Sequence, residues 1–315
     1  MAMKNVKNVR EQTDKKLSAL ANYYQIDNKA PKICQLKGIE ILPSKIAWQK
    51  YNWTKKYFSK KPKHGYFIWV KEQPKSVLFT CISLAKKNIR QTLQNLLVVE
   101  NNLKVKLQGT CNTLKRNLEG FHKAIGKIVL KEGAVLKYEH IHSWGEKDVV
   151  QPDYEFLLEK KARLDYNYKV FSSPEKLKMK TLLTLLESSS ANLNIMGKFS
   201  QTKTEIKDTL ILKEKGASGI IKLRLVGNKK SQISAYSQIR AKSESKGHLD
   251  CQGLLIDESS KISLIPELLC ESKKAQITHE ASIGKISEEA LNYLRMRGLN
   301  EKEAINLIVN GFLEK

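Results

Sequence analysis

Strict alternation of apolar and polar residues dominates the chain from about residue 95 onward. Its clearest stretch sets Ala162, Leu164, Tyr166, Tyr168 and Val170 against Arg163, Asp165, Asn167 and Lys169. A period of two puts one set of side chains on the buried face of a strand. Ile221, Leu223 and Leu225 repeat it, as do Ile233, Ala235, Ser237 and Ile239. A glutamate followed by small or turn-forming residues introduces such strands at Glu132, Glu159, Glu187 and Glu214, at intervals of 27, 28 and 27 residues, with looser copies at Glu100 and Glu258. A fixed period of this length marks a solenoid, whose units bury their apolar faces only on one another. With no helical period between the strands, the expected fold is mainly β, a β-solenoid; an antiparallel sandwich fits the regular interval less well.

The flanks read differently. Val6, Val9, Leu17, Leu20, Ala21 and Tyr24 suggest a helix over residues 4–24, after which Pro31 and Pro43 break the chain into loops. Ser287 can cap a helix through Leu291, Leu294 and Arg295, with Gly298 suited to its C-terminal turn. Asn300 and Glu303 resemble a capping box for a second helix carrying Ala304, Ile305, Leu307 and Ile308, which Gly311 can end. The expected division is a helical basic region at 1–62, a β-helix core at 63–280 and a helical hairpin at 281–315, suited to packing or partner docking.

Charge changes this picture in one place. The chain of 315 residues carries 56 basic and 32 acidic side chains, a net +24, and residues 1–130 hold 26 basic against 7 acidic. Between residues 45 and 70, Trp48, Tyr51, Trp53, Tyr57, Phe58 and Trp69 interleave with lysines. That mixture suits single-stranded nucleic acid, but anchoring aromatics with solvated lysines is the favoured reading. Five cysteines without C-x-x-C spacing argue against a disulfide framework and a sequence-local zinc site. No signal-like or membrane-length apolar stretch is evident, which gives a cytoplasmic expectation with no membrane partner. Neither a phosphate loop, a G-x-S-x-G elbow nor an H-E-x-x-H motif occurs, so no catalytic residues stand out and any ATP hydrolysis is expected from a partner.

The residues with metal chemistry lie late. Cys251 shares a face with Leu249, Gly253 and Leu255; His279 shares one with Ala275 and Ile277, and Glu280 points the other way. Thiolate, imidazole and carboxylate each ligate iron, soft sulfur favouring iron–sulfur chemistry. Read alone, a small buried cysteine and a hydrogen-bonded structural histidine are the favoured accounts of these positions.

Around them the sequence becomes recognisable. Gly247-His248-Leu249-Asp250-Cys251-Gln252-Gly253-Leu254-Leu255 is followed by Ile265-Pro266-Glu267-Leu268, Thr278-His279-Glu280-Ala281, Gly284-Lys285-Ile286 and Tyr293-Leu294-Arg295-Met296-Arg297-Gly298-Leu299. In that order, the run resembles the C-terminal half of the SufB and SufD proteins, scaffolds of the SUF iron–sulfur assembly machine. A looser match runs back to about Leu93 and includes His142-Ser143-Trp144-Gly145-Glu146.

The resemblance implies a right-handed parallel β-helix flanked by N-terminal and C-terminal α-helical segments. It implies a scaffold that receives iron and sulfur and holds a transient iron–sulfur cluster at a protomer interface, formed with a second copy or with another SufB/D-like chain. Cys251, His279 and Glu280 match the family's candidate sulfur acceptor and cluster ligands. Cys111, one position later than an earlier family cysteine that follows glycine, is a sulfur-transfer candidate. The implied partners are a SufC-like ABC ATPase docked on the C-terminal helices, which would supply ATP hydrolysis, and a cysteine desulfurase or other sulfur donor. A SufD-type adaptor without its own cluster is the alternative. No residue pattern supports a flavin, and cluster type stays open.

Overall fold

A computed structural model describes residues 21–314 of the chain. An opening hairpin, β1 (Tyr23–Ile26) and β2 (Lys29–Ile33), leads to β3 (Ile39–Pro43), helix α1 (Ser44–Lys50), a 3-10 helix (Asn52–Tyr57) and β4 (Tyr66–Val70). Then come β5 (Leu78–Leu84), β6 (Arg90–Val99), β7 (Lys104–Thr113), β8 (Phe121–Leu130) and β9 (Val135–Ser143). The series continues through β10 (Val149–Leu158), β11 (Arg163–Ser172), β12 (Lys176–Leu185), β13 (Ser190–Ser200) and β14 (Lys203–Leu212). It ends with β15 (Ser218–Asn228), β16 (Gln232–Ala241), β17 (Lys246–Leu255), β18 (Lys261–Cys270) and β19 (Gln276–Lys285), before α2 (Glu288–Met296) and α3 (Glu301–Glu314).

From β4 onward, even-numbered strands stack in one sheet and odd-numbered strands in the other, and from β6 onward each is parallel to the strand two earlier. Each pair of strands is therefore one coil of a parallel β-solenoid. The repeat read from the sequence is that coil: Val135, Arg163, Ser190, Ser218, Lys246 and Gln276 are successive ladder partners.

The corner between coils is built from left-handed residues. Asn102, Gly133, Lys161, Ser188 and Gly216 all have φ between 55° and 76°. Each donates its backbone N–H to a carbonyl of the next coil, those of Glu132, Lys160, Glu187, Lys215 and Glu244, at 2.8–2.9 Å. Left-handed backbone favours glycine or a short polar residue, which is why this corner carries Gly, Asn and Ser. The next copy of this corner after the one at Glu214 is the turn that contains Glu244. Glu258 lies instead at the opposite corner, between β17 and β18.

Inward side chains form one continuous core. Ala162, Leu164, Tyr166, Tyr168 and Val170 are all buried, as are Ile221, Leu223, Leu225, Ile233, Ala235, Ser237 and Ile239. Outside, lysines meet carboxylates one coil away, as in Lys127–Glu155 at 2.9 Å, Lys131–Glu159 at 2.8 Å and Lys169–Glu139 at 2.8 Å. Such exposed pairs add little stability each, but they offset part of the basic charge.

The N-terminal flank differs from its sequence reading. Residues 4–20 of the expected helix lie outside the described residues, and Tyr23 and Tyr24 belong to strand β1. Pro31 sits in β2, at the edge of its sheet, where a missing N–H is tolerated. Within 21–62 only residues 44–50 and 52–57 are helical, while β1 and β3 join the two solenoid sheets. The interleaved aromatics form a satellite core against the outer face of β4, β6 and β8, with Leu96, Val98 and Val129 beneath them. Trp53 packs edge-on to Trp69 at 5.1 Å and to Phe67 at 5.9 Å, and lysines 50, 55, 56, 61 and 71 lie 4.7–5.5 Å over ring faces.

The C-terminal caps follow the sequence closely. Ser287 Oγ accepts from the Ala290 N–H at 3.1 Å. Asn300 and Glu303 exchange reciprocal side-chain-to-backbone bonds at 3.0 Å, and Gly298 is left-handed at φ 92°. Helix α3, however, continues through Gly311 to Glu314. Its Ile305, Ile308, Val309 and Phe312 pack over Val226 and Leu254.

Candidate functional site

Two places in the solenoid gather groups with metal or sulfur chemistry: the open C-terminal end and the interior near the N-terminal third.

At the open end, Cys251 faces inward from β17 beside Leu249 and is buried at 2% exposure. Burial pushes its thiol pKa up to about 11, and the nearby Asp208 charge adds to that rise. His279 stands in ladder register with Leu249, and Ala281 with Cys251. His279 therefore has the same inward parity as Cys251, one strand over and two residues along. Strand spacing and rise put their backbones roughly 8 Å apart. No coil lies beyond β18 and β19 among the described residues, so His279 is exposed at the solenoid mouth. Glu280 projects from the opposite face, next to Asp250 in register, with its carboxylate 3.8 Å from His248 Nε2. That outer face also carries the Arg224–Asp250 pair, bonded through both guanidinium arms at 2.8 and 2.6 Å, and a His248–Thr278 side-chain bond at 2.8 Å. The structure thus brings Cys251 and His279 to one mouth and leaves Glu280 on the outer wall of the same protomer.

Behind Cys251 runs a buried polar row. Thr181, Asp208 and Ser237 are successive ladder partners in the facing sheet, all nearly or fully buried. Neither Asp208 oxygen has a hydrogen-bond partner, and burial raises its carboxyl pKa to about 7, against a smaller opposing pull from Thr181.

The interior site centres on Cys111, from β7. Its ligating sulfur and nitrogens of His140 and His142, from β9, all lie within 4.8 Å of one another, the one such trio of Cys, His, Asp or Glu among the described residues. Cys111 Sγ is 3.5 Å from His140 Nε2, and His142 Nε2 is 3.0 Å from the same nitrogen. Trp144 Nε1–H donates to His142 Nδ1 at 3.0 Å, with the Tyr168 hydroxyl at 3.1 Å from the same atom. His140 Nδ1 pairs with the Tyr166 hydroxyl at 3.0 Å. Gly109 makes room for this packing, since a Cβ there would lie 2.8 Å from the Tyr138 hydroxyl. Burial drives the His140 pKa down to about 3 and His142 well below its usual value, and pushes the Cys111 thiol up. Both imidazoles are neutral and the thiol is protonated at neutral pH. His140 and His142 were missed by sequence reasoning. The signal available was the inward parity of Tyr138, His140, His142 and Trp144 along β9 and just beyond it.

Comparison with known proteins agrees with the fold. Residues 82–312 match the SufBD core domain of the SUF system for FeS cluster assembly. The chain is 30% identical over 315 residues to an iron–sulfur cluster assembly SufBD family protein of Archaeoglobus fulgidus, covering 93% of this chain and 84% of that protein. It is 28% identical over 305 residues to a Methanothermobacter thermautotrophicus protein of the same description, covering 89% and 74% respectively. With the iron–sulfur cluster assembly protein SufB of Bacillus subtilis it shares 24% identity over 263 residues, 79% of this chain and 55% of that one.

Proposed function

Since the chain belongs to the SufBD family of SUF iron–sulfur cluster assembly proteins, we propose that it is a scaffold holding a nascent cluster at the open C-terminal mouth of its solenoid. The observation that carries this reading is the shared inward parity of Cys251 and His279 at a coil that no described strand covers. Sulfur and iron are the cargo. Cys251 takes sulfur or iron as thiolate, and His279 supplies a nitrogen. A raised thiol pKa makes spontaneous ionisation rare at neutral pH. Binding of iron or of a sulfur donor is then what draws the proton off. A ligand pair this sparse suits a scaffold that must release what it builds.

A second chain completes the site. The free edges of β18 and β19 present unpaired backbone groups, the usual template for adding another strand. A second copy, or another SufB/D-like chain, pairing there would shield the mouth and bring further ligands. Glu280 then serves from the outer rim. The ATPase partner docks on the C-terminal hairpin, where Tyr293, Met296 and Leu307 are exposed at 54%, 80% and 54%.

Anaerobic reconstitution with iron and sulfide tests the site. Cys251→Ser is expected to lose most of the cluster absorbance that the parent chain acquires, with folding checked by circular dichroism. Undiminished absorbance in that variant would exclude Cys251 and favour the adaptor reading.

A further inference from the structure

The interior trio has ligand-like geometry. A tetrahedral site with metal–nitrogen bonds near 2.0–2.1 Å and a metal–sulfur bond near 2.3 Å has N···N edges of about 3.3 Å and S···N edges of about 3.6 Å. The two edges at His140 Nε2 are 3.0 Å and 3.5 Å, and the third, between Cys111 and His142, is within 4.8 Å, so metal binding would draw those two together. One obstacle is visible in the hydrogen bonds. Trp144 Nε1 can only donate, so His142 Nδ1 must accept. The ring then carries its hydrogen on Nε2 and points it at His140 Nε2, across the spot a metal would occupy. His140 in turn carries its hydrogen on Nδ1, toward Tyr166. That is the outward bond a metal-ligating histidine normally makes.

The outlet for Trp144 lies beside it. The His122 ring is fully buried and sits 4.8 Å from the indole, centroid to centroid. Gln91 Nε2 donates to the Asp27 carbonyl, so its Oε1 faces His122 Nδ1, at 2.6 Å, and accepts. His122 therefore holds its hydrogen on Nδ1. Its Nε2 is a lone-pair acceptor with no partner, an expensive condition for a buried group.

We propose that Cys111, His140 and His142 form a buried site for a borderline divalent transition-metal ion of the Zn(II) or Fe(II) class, kept closed in the metal-free chain by the Trp144 indole N–H. Opening shifts the His142 hydrogen and redirects the Trp144 bond, and ligation then releases the Cys111 proton. His142 shifts its hydrogen from Nε2 to Nδ1, where the Tyr168 hydroxyl turns to accept it. Trp144 transfers its N–H from His142 to His122 Nε2. Cys111 gives up its thiol proton to solvent, and the ion is held by one sulfur and two nitrogens, a donor set suited to such metals. This site is distinct from the mouth, where Cys251 lies five coils beyond Cys111 and four beyond the two histidines along the same sheet.

Co(II) is the probe, because thiolate ligation gives it a near-ultraviolet charge-transfer band and tetrahedral geometry gives it intense visible bands. The full chain carries Cys251→Ser, which removes the mouth thiol and separates this test from the scaffold reading. Co(II) is supplied both to the native protein and during refolding, so burial does not block entry. One ion per chain is expected, displaced by Zn(II). Cys111→Ser should abolish the sulfur band, and His140→Gln should weaken binding at least tenfold. Trp144→Phe removes the closing donor and should tighten binding about three- to tenfold, the size of one net hydrogen bond. His122→Phe should weaken binding by removing the alternative acceptor. Thermal melts establish that each variant is folded. A sulfur band that survives Cys111→Ser, or no bound Co(II) under either loading, overturns the site. Affinity unchanged or weakened in folded Trp144→Phe overturns the closing role of the indole.

Discussion

Asp208→Asn is expected to stabilise the protein at about pH 8 and to give no gain at about pH 4. Asp208 is fully buried with both oxygens unpartnered, and its carboxyl pKa is raised from 3.8 to about 7. The folded chain therefore keeps this proton through a range where the unfolded chain has lost it. The favourable contribution is complete below about pH 4, declines as pH rises, and is gone once pH passes about 7. A shift of about three units corresponds to roughly 4 kcal/mol. Asparagine carries no charge at either end of the range, so the difference between variant and parent should grow across it to a few kcal/mol. Urea unfolding of both proteins at several pH values checks this, and parallel stability profiles would show that Asp208 is solvated or paired.

The solenoid was legible wherever one sheet face is dry and the other wet. Tyr166 and Tyr168 against Asp165 and Asn167 is that difference written as alternation. The same logic explains why the first coils were hidden. In β4, β5 and most of β6 nearly every residue is buried, and in β4 and β6 that is because the aromatic satellite core covers the outer face as well. A strand buried on both faces reads as a plain apolar run. The Glu258 copy misled because both corners of a coil use polar, small residues, and only ladder register distinguishes them. Helix ends were legible at Ser287 and Asn300, whose caps are local chemistry. Gly311 was not a stop, because α3 is held by Val309 and Phe312 packing on the sheet rather than by propensity. The late thiol and imidazole were found from motif and parity. His140 and His142 were not, because polar residues on inward positions look like interruptions of the hydrophobic code until the opposite wall is known.

Under the pairing proposed at the mouth, Ile283→Lys is expected to give a monomer, whereas Ile265→Lys is expected to remain dimeric. The two isoleucines make a matched pair, exposed at 45% and 50% in the single chain. Their parity differs. Ile283 is the ladder partner of Gly253, which shares the inward face of Cys251, whereas Ile265 pairs with Tyr236 on the outer wall. Around the mouth, Ile262, Leu264, Leu268 and Ile277 are only partly buried against the core, the condition of inward side chains awaiting another coil. Covering such a rim removes apolar surface from water at about 25 cal/mol per Å². A lysine at Ile283 would have to bury its ammonium within that cover, whereas one at Ile265 keeps it in solvent. Neither substitution disturbs a packed side chain in the monomer, so melting temperatures of the isolated chains should stay close. Light scattering across a dilution series reads the outcome. Equal dissociation of both variants would place the seam along the outer wall, and two intact dimers would move it away from β18 and β19 altogether.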